Sequence, residues 1–379
     1  MRIGIDARLW GQTGVGRYLE ELVANLAKID HEDRYTLFLR KSHQDLPLPG
    51  STWEKRPADI CWHSLKEQIL MPFILWREHL DLVHFPYFSV PIFYPGKFVV
   101  TIHDLILDHF ETGKASTLPF FLYKIKRLAY KLVMWIALHR AAKIITVSNV
   151  TKQEIVDHYK IKPEKVVVTY EAANNQTNTQ GVKDITPLRC KGYFLYVGNA
   201  YPHKNLERLL EVMSNVKCQM SNVRLVLVGG EDYFYKQLKD KVKEMGLIEK
   251  VFFYGSATRE ELKNLYKNAI ALVFPSLMEG FGLPGIEAMS LDCPVVCSDI
   301  PALREVYGEA ATYFNPYDID DIVQKLEEIC SNDLNHDIRQ RLAEMGLKQV
   351  KKYSWKKLAR QTLEIYKSAQ ARRELIEAE

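Results

Sequence analysis

Short apolar runs rich in β-branched residues recur along the chain, and the stretches between them carry helical spacing. That alternation predicts parallel strands joined by crossover helices. In the first half the runs are Arg2 to Ala7, Tyr35 to Leu39, Asp81 to His84, Phe98 to Ile102, Lys143 to Val147 and Lys165 to Thr169, with helices over 16–29, 116–141 and 149–159. Residues 171–190 then lose all periodicity and fill with Asn, Thr and Gln, the composition of a solvated linker. The rhythm resumes with Tyr193 to Val197, Arg224 to Val228, Val251 to Tyr254, Ala271 to Phe274, Pro294 to Ser298 and Thr312 to Phe314. The pattern predicts two α/β domains, 1–170 and 191–354, with a final helix over 355–379 returning to the first. Open sheets of this kind bind ligands beyond the carboxyl ends of their strands, so the expected site is a cleft between two Rossmann-like halves.

Composition narrows this picture. With 379 residues, 47% of them hydrophobic and 26% charged, the chain has the makings of a two-domain globular protein and not of a disordered one. Its 51 basic and 47 acidic residues leave a formal charge of only +4, which supplies no general nucleic-acid footprint. Cys61, Cys190, Cys218, Cys293, Cys297 and Cys330 are scattered without a C-x-x-C pair, as expected of core residues in a reducing compartment and not of a disulfide framework or zinc site. The opening MRIGIDARLW lacks the apolar stretch of a signal peptide, and the longest apolar runs, such as Leu132 to Leu138, fall far short of the roughly 20 residues a membrane span needs. A cytoplasmic protein is expected.

The most informative stretch is AIALVFPSLMEGFGLPGIEAMS. A buried strand ends at Pro275, a glycine-rich turn follows, and Pro284 stands where a helix begins, a position at which its missing N–H costs nothing. Free amides at such a turn suit a phosphate or an oxygen-rich ligand. Glu279 and Glu287 flank the turn, and carboxylates in that setting accept hydrogen bonds from hydroxyls such as those of sugars and ribose. Gly280, Gly282 and Gly285 also spell G-x-G-x-x-G, with Asp299 ending the next strand, which is the dinucleotide-binding fingerprint on paper. Glu279 directly before the turn, Pro284 within it, and a position far from the start of a domain all weigh against an NAD-dependent dehydrogenase.

The string Glu279-Gly-Phe-Gly-Leu-Pro-Gly-Ile-Glu287 resembles the two-glutamate motif of the retaining nucleotide-sugar glycosyltransferases of the GT-B fold, a family that includes bacterial mannosyltransferases of surface-polysaccharide synthesis. YVGNAYPHKNLERLLE (196–211), VRLVLVGG (223–230), VFFYGSATREELKNLY (251–266) and IPALREVYGEAATYFNP (300–316) are similar to further family segments in the same order. In the first half, the turn Gly14-Val-Gly16-Arg17-Tyr18, the TIHDL run with His103 and Asp104, and TVSNVTKQEI (146–155) match as well. The resemblance implies a metal-independent hexosyltransferase without a cofactor, whose donor is GDP-mannose in the leading reading and a UDP-sugar in the alternative. It implies a glycan or lipid-linked acceptor and no nucleic acid.

By the same resemblance Glu279 contacts the transferred sugar and Glu287 the ribose. The amides of Gly280, Phe281, Gly282 and Leu283 approach sugar and diphosphate. Gly198, Asn199 and His203 lie in the donor-phosphate loop, and Lys204 neutralises the diphosphate as the glycosidic bond breaks. His103 stands beside the donor sugar, stabilising positive charge at the anomeric carbon, with Asp104 supporting it, and Gly14 and Gly16 let the first loop come close to donor and acceptor. Many relatives have an arginine in the loop where this chain has Asn199 and His203, which makes Arg8 and Arg17 candidates to complete the phosphate clamp.

One segment points elsewhere. Between Glu111 and Lys143 the chain carries Lys114, Lys124, Lys126, Arg127, Lys131 and Arg140 interleaved with aromatic and aliphatic residues. An amphipathic helix here is expected to pack its apolar face on the first sheet, with peripheral attraction to an anionic membrane as a secondary role. HFPYFSVPIFYP (84–95), broken by three prolines, reads as a loop that lines the acceptor side or covers the core.

Overall fold

The computed structural model describes residues 1–110, 120–173, 192–216, 223–330 and 335–376. The expected linker from residue 174 onward, residues 116–119 of an expected helix, Glu111, Lys114, Cys190 and Cys218 lie outside them. The chain divides into two compact units, Met1–Leu105 with Leu118–Glu171 and Ser354–Glu379, and Ile106–Thr117 with Ala172–Tyr353.

In the first unit, β1 (Arg2–Asp6), β2 (Arg34–Leu39), β3 (Trp53–Pro57), β4 (Leu82–Phe85), β5 (Phe98–Ile102), β6 (Lys143–Thr146) and β7 (Val166–Val168) form a parallel sheet in the order β3-β2-β1-β4-β5-β6-β7. Helices α1 (Thr13–Ile29), α2 (Leu65–Arg77), α3 (Phe120–Arg140) and α4 (Asn149–Tyr159) connect its strands. β4 and β5 are buried along their whole length, as strands covered on both faces must be.

Two of these elements are absent from the pattern read off the sequence. β3 reads Trp-Glu-Lys-Arg-Pro because it is the edge strand, where charges and proline are tolerated on the unpaired side. α2 is hidden for another reason: Leu65, Ile69, Phe73 and Trp76 lie exposed on its outer face, so no polar stripe marks it, and Pro72, a helix breaker by sequence, lies inside it. Its start is nonetheless written in the chain, since Ser64 accepts a hydrogen bond from the Glu67 N–H as an N-cap. The 84–95 segment begins in β4 and is a loop only from Pro86 on.

In the second unit, β8 (Tyr193–Val197), β9 (Arg224–Val228), β10 (Val251–Gly255), β11 (Ala271–Phe274), β12 (Val295–Ser298) and β13 (Thr312–Phe314) pair in the order β10-β9-β8-β11-β12-β13, again all parallel. The helices are α5 (Leu206–Asn215), α6 (Tyr233–Glu244), α7 (Arg259–Asn268), α8 (Leu283–Met289), α9 (Pro301–Tyr307), α10 (Ile319–Cys330) and α11 (Asn335–Val350). Asp232 caps α6, and Thr258 with Glu261 forms a full capping box on α7. The last helix, α12 (Trp355–Ile376), packs against α1 in the first unit, where the Tyr366 hydroxyl lies 2.7 Å from His84 Nδ1.

In both sheets the order reverses beside the first strand, between β1 and β4 and between β8 and β11. Ligands of doubly wound sheets bind beyond the strand ends at these switch points. Among the described residues no helix is long and apolar enough to cross a membrane.

Candidate active site

At the second switch point, two loops leave neighbouring strands and meet. After β8 the chain runs through Gly198 and Asn199 into a tight turn at Pro202–Lys204, and Asn205, in the left-handed region at φ 58°, swings it into α5. After β11 it passes Ser276 and Leu277, whose N–H donates to the His203 carbonyl at 2.7 Å. The result is a Lys204 Nζ to Glu279 Oε1 contact of 2.6 Å, the two side chains 13% and 10% exposed. A cation and a carboxylate thus stand at the carboxyl ends of β8 and β11, largely withdrawn from solvent.

Around this pair the other expected residues take varied positions. The Asn199 carbonyl accepts from Tyr196 Oη at 2.6 Å and the Gly198 carbonyl from Tyr235 Oη at 2.8 Å, so buried tyrosines fix the loop from below. Burial and the Lys204 charge push His203 down to about 3, which makes it a neutral imidazole. Its Nδ1 is buried without a hydrogen-bond partner among the described residues, and so is Ser276 Oγ at the end of β11. Glu287, buried on α8, accepts from Tyr266 Oη at 3.3 Å. Phe281 packs edge-on against Tyr353, with ring centres 5.5 Å apart, so its side chain belongs to the core.

The glycines of the G-x-G-x-x-G string have a packing reason. Tyr307, fully buried at the end of α9, donates to the Gly282 carbonyl and fills the space where side chains at 282 and 285 would go. A Cβ at Gly282 would also stand 2.6 Å from Leu303 Cδ2, and the residue is left-handed at φ 81°. Asp299, the supposed ribose ligand of a dinucleotide fold, is held in both oxygens by Arg304 at 2.7 and 2.8 Å.

In the first unit His103 follows β5. Its Nδ1 faces Glu171 Oε1 at 3.3 Å, its Nε2 faces the Pro86 carbonyl at 3.0 Å, and Tyr18 closes on it edge-on with ring centres 5.0 Å apart. Burial opposes a charge on this ring, but the Glu171 carboxylate, with smaller help from Pro86 and Asp104, outweighs it and raises the pKa. The Pro86 carbonyl takes a proton from Nε2, and a carboxylate facing Nδ1 favours a second proton there, so the arrangement favours the imidazolium form. Glu171, assigned by composition to the linker, is the partner that sequence reasoning missed. Its signal was its place just past β7, where side chains emerge at the ligand end of a sheet. Asp104 adds only a through-space contribution.

Gly14 and Gly16 lie in the first turn of α1, not in a loop before it. A Cβ at Gly16 would stand 2.7 Å from the Leu9 carbonyl, so glycine there lets the preceding loop pass, whereas at Gly14 the space is open. Arg8 is not a free phosphate ligand: it is 2% exposed, binds Asp6 at 2.8 and 2.6 Å, and reaches Glu67 at 2.6 Å. Glu67 in turn accepts from Ser89 Oγ at 2.7 Å and from the His63 N–H at 2.8 Å.

Two Rossmann-like domains in one chain, the second with a lysine–glutamate pair at its switch point, define the class of the GT-B glycosyltransferases. The chain belongs to that family, and within it is mannosyltransferase-like: residues 187–349 match the glycosyl transferases group 1 and residues 12–175 the glycosyltransferase family 4. It is 34% identical over 263 residues to the O-antigen chain mannosyltransferase RfbU of Salmonella typhimurium, covering 69% of each chain. To the O-antigen chain mannosyltransferase B of Escherichia coli it is 28% identical over 381 residues, covering 94% of this chain and 96% of the other. Among solved structures, sucrose-phosphate synthase of Thermosynechococcus elongatus superposes over 100% of both chains with a TM-score of 0.75 at 19% identity. Anabaena HepE, in complex with UDP and glucose, superposes over 97% of this chain and 100% of its own with a TM-score of 0.74 at 16% identity.

Proposed function

We propose that this glycosyltransferase moves mannose from GDP-mannose to a hydroxyl of a glycan or lipid-linked acceptor in surface-polysaccharide synthesis, with retention at the anomeric carbon and without a divalent metal. The observation that carries the reading is the Lys204–Glu279 pair at the switch point of the second unit, in a chain similar along nearly its whole length to an O-antigen mannosyltransferase. In this reading the second unit, about 191–354, binds the donor, and residues 1–170 with the last helix bind the acceptor.

An arriving diphosphate competes with Glu279 for the Lys204 ammonium. Lys204 then offsets the charge that builds on the leaving group as the glycosidic bond breaks, the task a metal ion performs elsewhere. Glu279, released from its partner, turns to the hydroxyls of the transferred sugar, while Glu287 serves the ribose. His203, being neutral, binds by hydrogen bond through its unpartnered Nδ1 and not by charge. The amides of Gly280 to Leu283 and the loop at Gly198 and Asn199 face the phosphates. The Glu171 carboxylate favours the protonated His103 ring, and a cation would repel positive charge at the anomeric carbon, so we assign it to the negative charge of the departing diphosphate. The enzyme works in the cytoplasm, in peripheral contact with the membrane that carries its acceptor.

A thermal-shift panel of GDP, UDP, ADP and NAD tests the donor, because a ligand that binds only the folded state raises its stability by about 2.7 kcal/mol at a hundredfold excess over Kd. GDP is expected to give the largest rise. A rise with UDP alone moves the reading to a UDP-sugar, and a rise with NAD alone overturns it. With GDP-mannose and methyl α-mannoside after EDTA treatment, an α-linked product is expected, and Lys204→Ala is expected to slow turnover by roughly 10² to 10³ fold.

A further inference from the structure

The largest feature left unused by the reaction is apolar and faces solvent. α3 buries Met134, Ala137 and Leu138 against the first unit, but Phe121, Ile125, Leu128, Leu132 and Trp135 are exposed, Leu128 by 71%. These five recur every three or four residues and form one continuous outward stripe. The packing expected from the sequence is thus reversed: most of the large apolar side chains of this helix point away from the sheet. α2 repeats the arrangement with Leu65, Ile69, Phe73 and Trp76 at the same helical spacing, Leu65 exposed by 85%.

The two stripes flank one loop. The Ile92 N–H donates to Gln68 Oε1 on α2 at 2.8 Å, and the Ile92 carbonyl accepts from Arg140 on α3 at 2.7 Å. Phe93, between them, is itself exposed. Large exposed apolar patches on a soluble fold mark surfaces that another phase or molecule covers.

Charge selects the occupant. α3 carries Lys124, Lys126, Arg127, Lys131 and Arg140 and contains no Asp or Glu. Lys124 and Lys131 are exposed and lie one step around the helix from its apolar stripe. Apolar side chains at the level of the acyl chains with lysines at their rim are what an anionic bilayer accommodates. A second copy of the chain fits poorly, since a two-fold interface brings each patch onto itself and sets these cations against their own counterparts.

We propose that the outer faces of α2 and α3, with Phe93 between them, form the docking surface of this protein on an anionic lipid bilayer. This deepens the peripheral placement proposed above and supplies its footprint. The two helices lie in the interface without crossing it, and the lysines bind the lipid phosphates.

Co-sedimentation with phosphatidylcholine vesicles, with and without phosphatidylglycerol, tests it. The protein is expected to pellet with the anionic vesicles, to bind neutral ones weakly, and to be released by salt. Lys124→Glu with Lys131→Glu should weaken binding by roughly 30-fold or more, at about fivefold for each lysine lost. Leu128→Glu with Leu132→Glu, and separately Phe73→Glu with Trp76→Glu, should each abolish pelleting, while circular dichroism and the GDP-induced thermal shift stay as in the parent. Parent protein that remains in the supernatant with anionic vesicles, or variants that pellet as well as it does, would overturn the proposal. A stable dimer in sedimentation velocity that Leu128→Glu dissociates would overturn it in favour of a second copy. Transfer to soluble methyl α-mannoside reads the catalytic proposal separately, because none of these substitutions touches the switch-point residues.

Discussion

His103 and His84 stand near each other in the first unit with pKa values shifted in opposite directions, and their partners explain why. His84 is wholly buried, its Nδ1 beside Tyr366 Oη and its Nε2 2.8 Å from Thr101 Oγ1; burial, helped by the nearby His103 charge, pushes it down to about 3. His103 is slightly less enclosed, its side chain 14% exposed, and has a carboxylate against it, so that the ion pair outweighs the loss of water. The consequence is testable at one residue. Glu171→Gln keeps the size of the side chain and removes the charge, so the protonated state of His103 is lost at lower pH. Turnover is expected to fall roughly tenfold in the pH window between the lowered folded value of the variant and the raised one of the parent, and the two proteins should converge at more acid pH. An NMR titration of the His103 ring reads the same displacement directly. A uniform loss at every pH, with the His103 titration unmoved, would show that Glu171 acts by packing alone.

At the level of elements, the β11–α8 turn is shaped from behind by α9. Tyr307 occupies the volume beside Gly282 and Gly285 and fastens the turn through the Gly282 carbonyl. Even a methyl group at 285 must displace a buried ring, so Gly285→Ala is expected to destabilise the second unit by about 1–3 kcal/mol. Combined with Tyr307→Ala, which empties that volume, the same substitution should cost almost nothing further, and the non-additivity in chemical denaturation is the measurement. Equal costs in both backgrounds would separate the glycine from the tyrosine. Elements were legible in the sequence where burial is two-sided, as in β5, β8 and β11. β3 and α2 were not, because an edge strand and a helix with an apolar outer face break the periodicities on which such readings rest.

For the whole molecule, buried histidines set the response to pH. His84 in the first unit and His203 in the second are both held down to about 3, so each is neutral when folded and takes a proton on unfolding once the pH drops below its ordinary value. Their contribution is complete above about pH 6.5 and is lost as pH falls, at about 1.4 kcal/mol per pH unit for each. His103 works the other way: its contribution is complete below about pH 6.5 and disappears as pH rises through its raised folded value. The thermal midpoint should therefore peak near pH 6.5 and fall toward acid by the slope of these two groups. His84→Gln, which cannot take a proton, should flatten the acid side for the first unit. A midpoint that stays level between about pH 6.5 and 4.5 would mean that the two rings are not buried in the neutral form.

The sequence by itself determined the two parallel α/β domains, the order along the chain of every strand but β3, and the segments that carry Lys204, Glu279, Glu287 and His103. Each of these rests on local signals: β-branched runs, turn residues and a motif contiguous in the chain. Tertiary structure decided which groups meet. Lys204 and Glu279 are far apart in sequence and become an ion pair because β8 and β11 are neighbours in the sheet. Glu171 reaches His103 because both follow strands of one sheet, Arg8 is withdrawn into a buried cluster by Glu67, and the apolar residues of α2 and α3 face outward because the inner faces of those helices are already filled by other side chains. Composition and periodicity report what a residue prefers, whereas its partner, its charge state and the direction it faces are properties of the packed molecule.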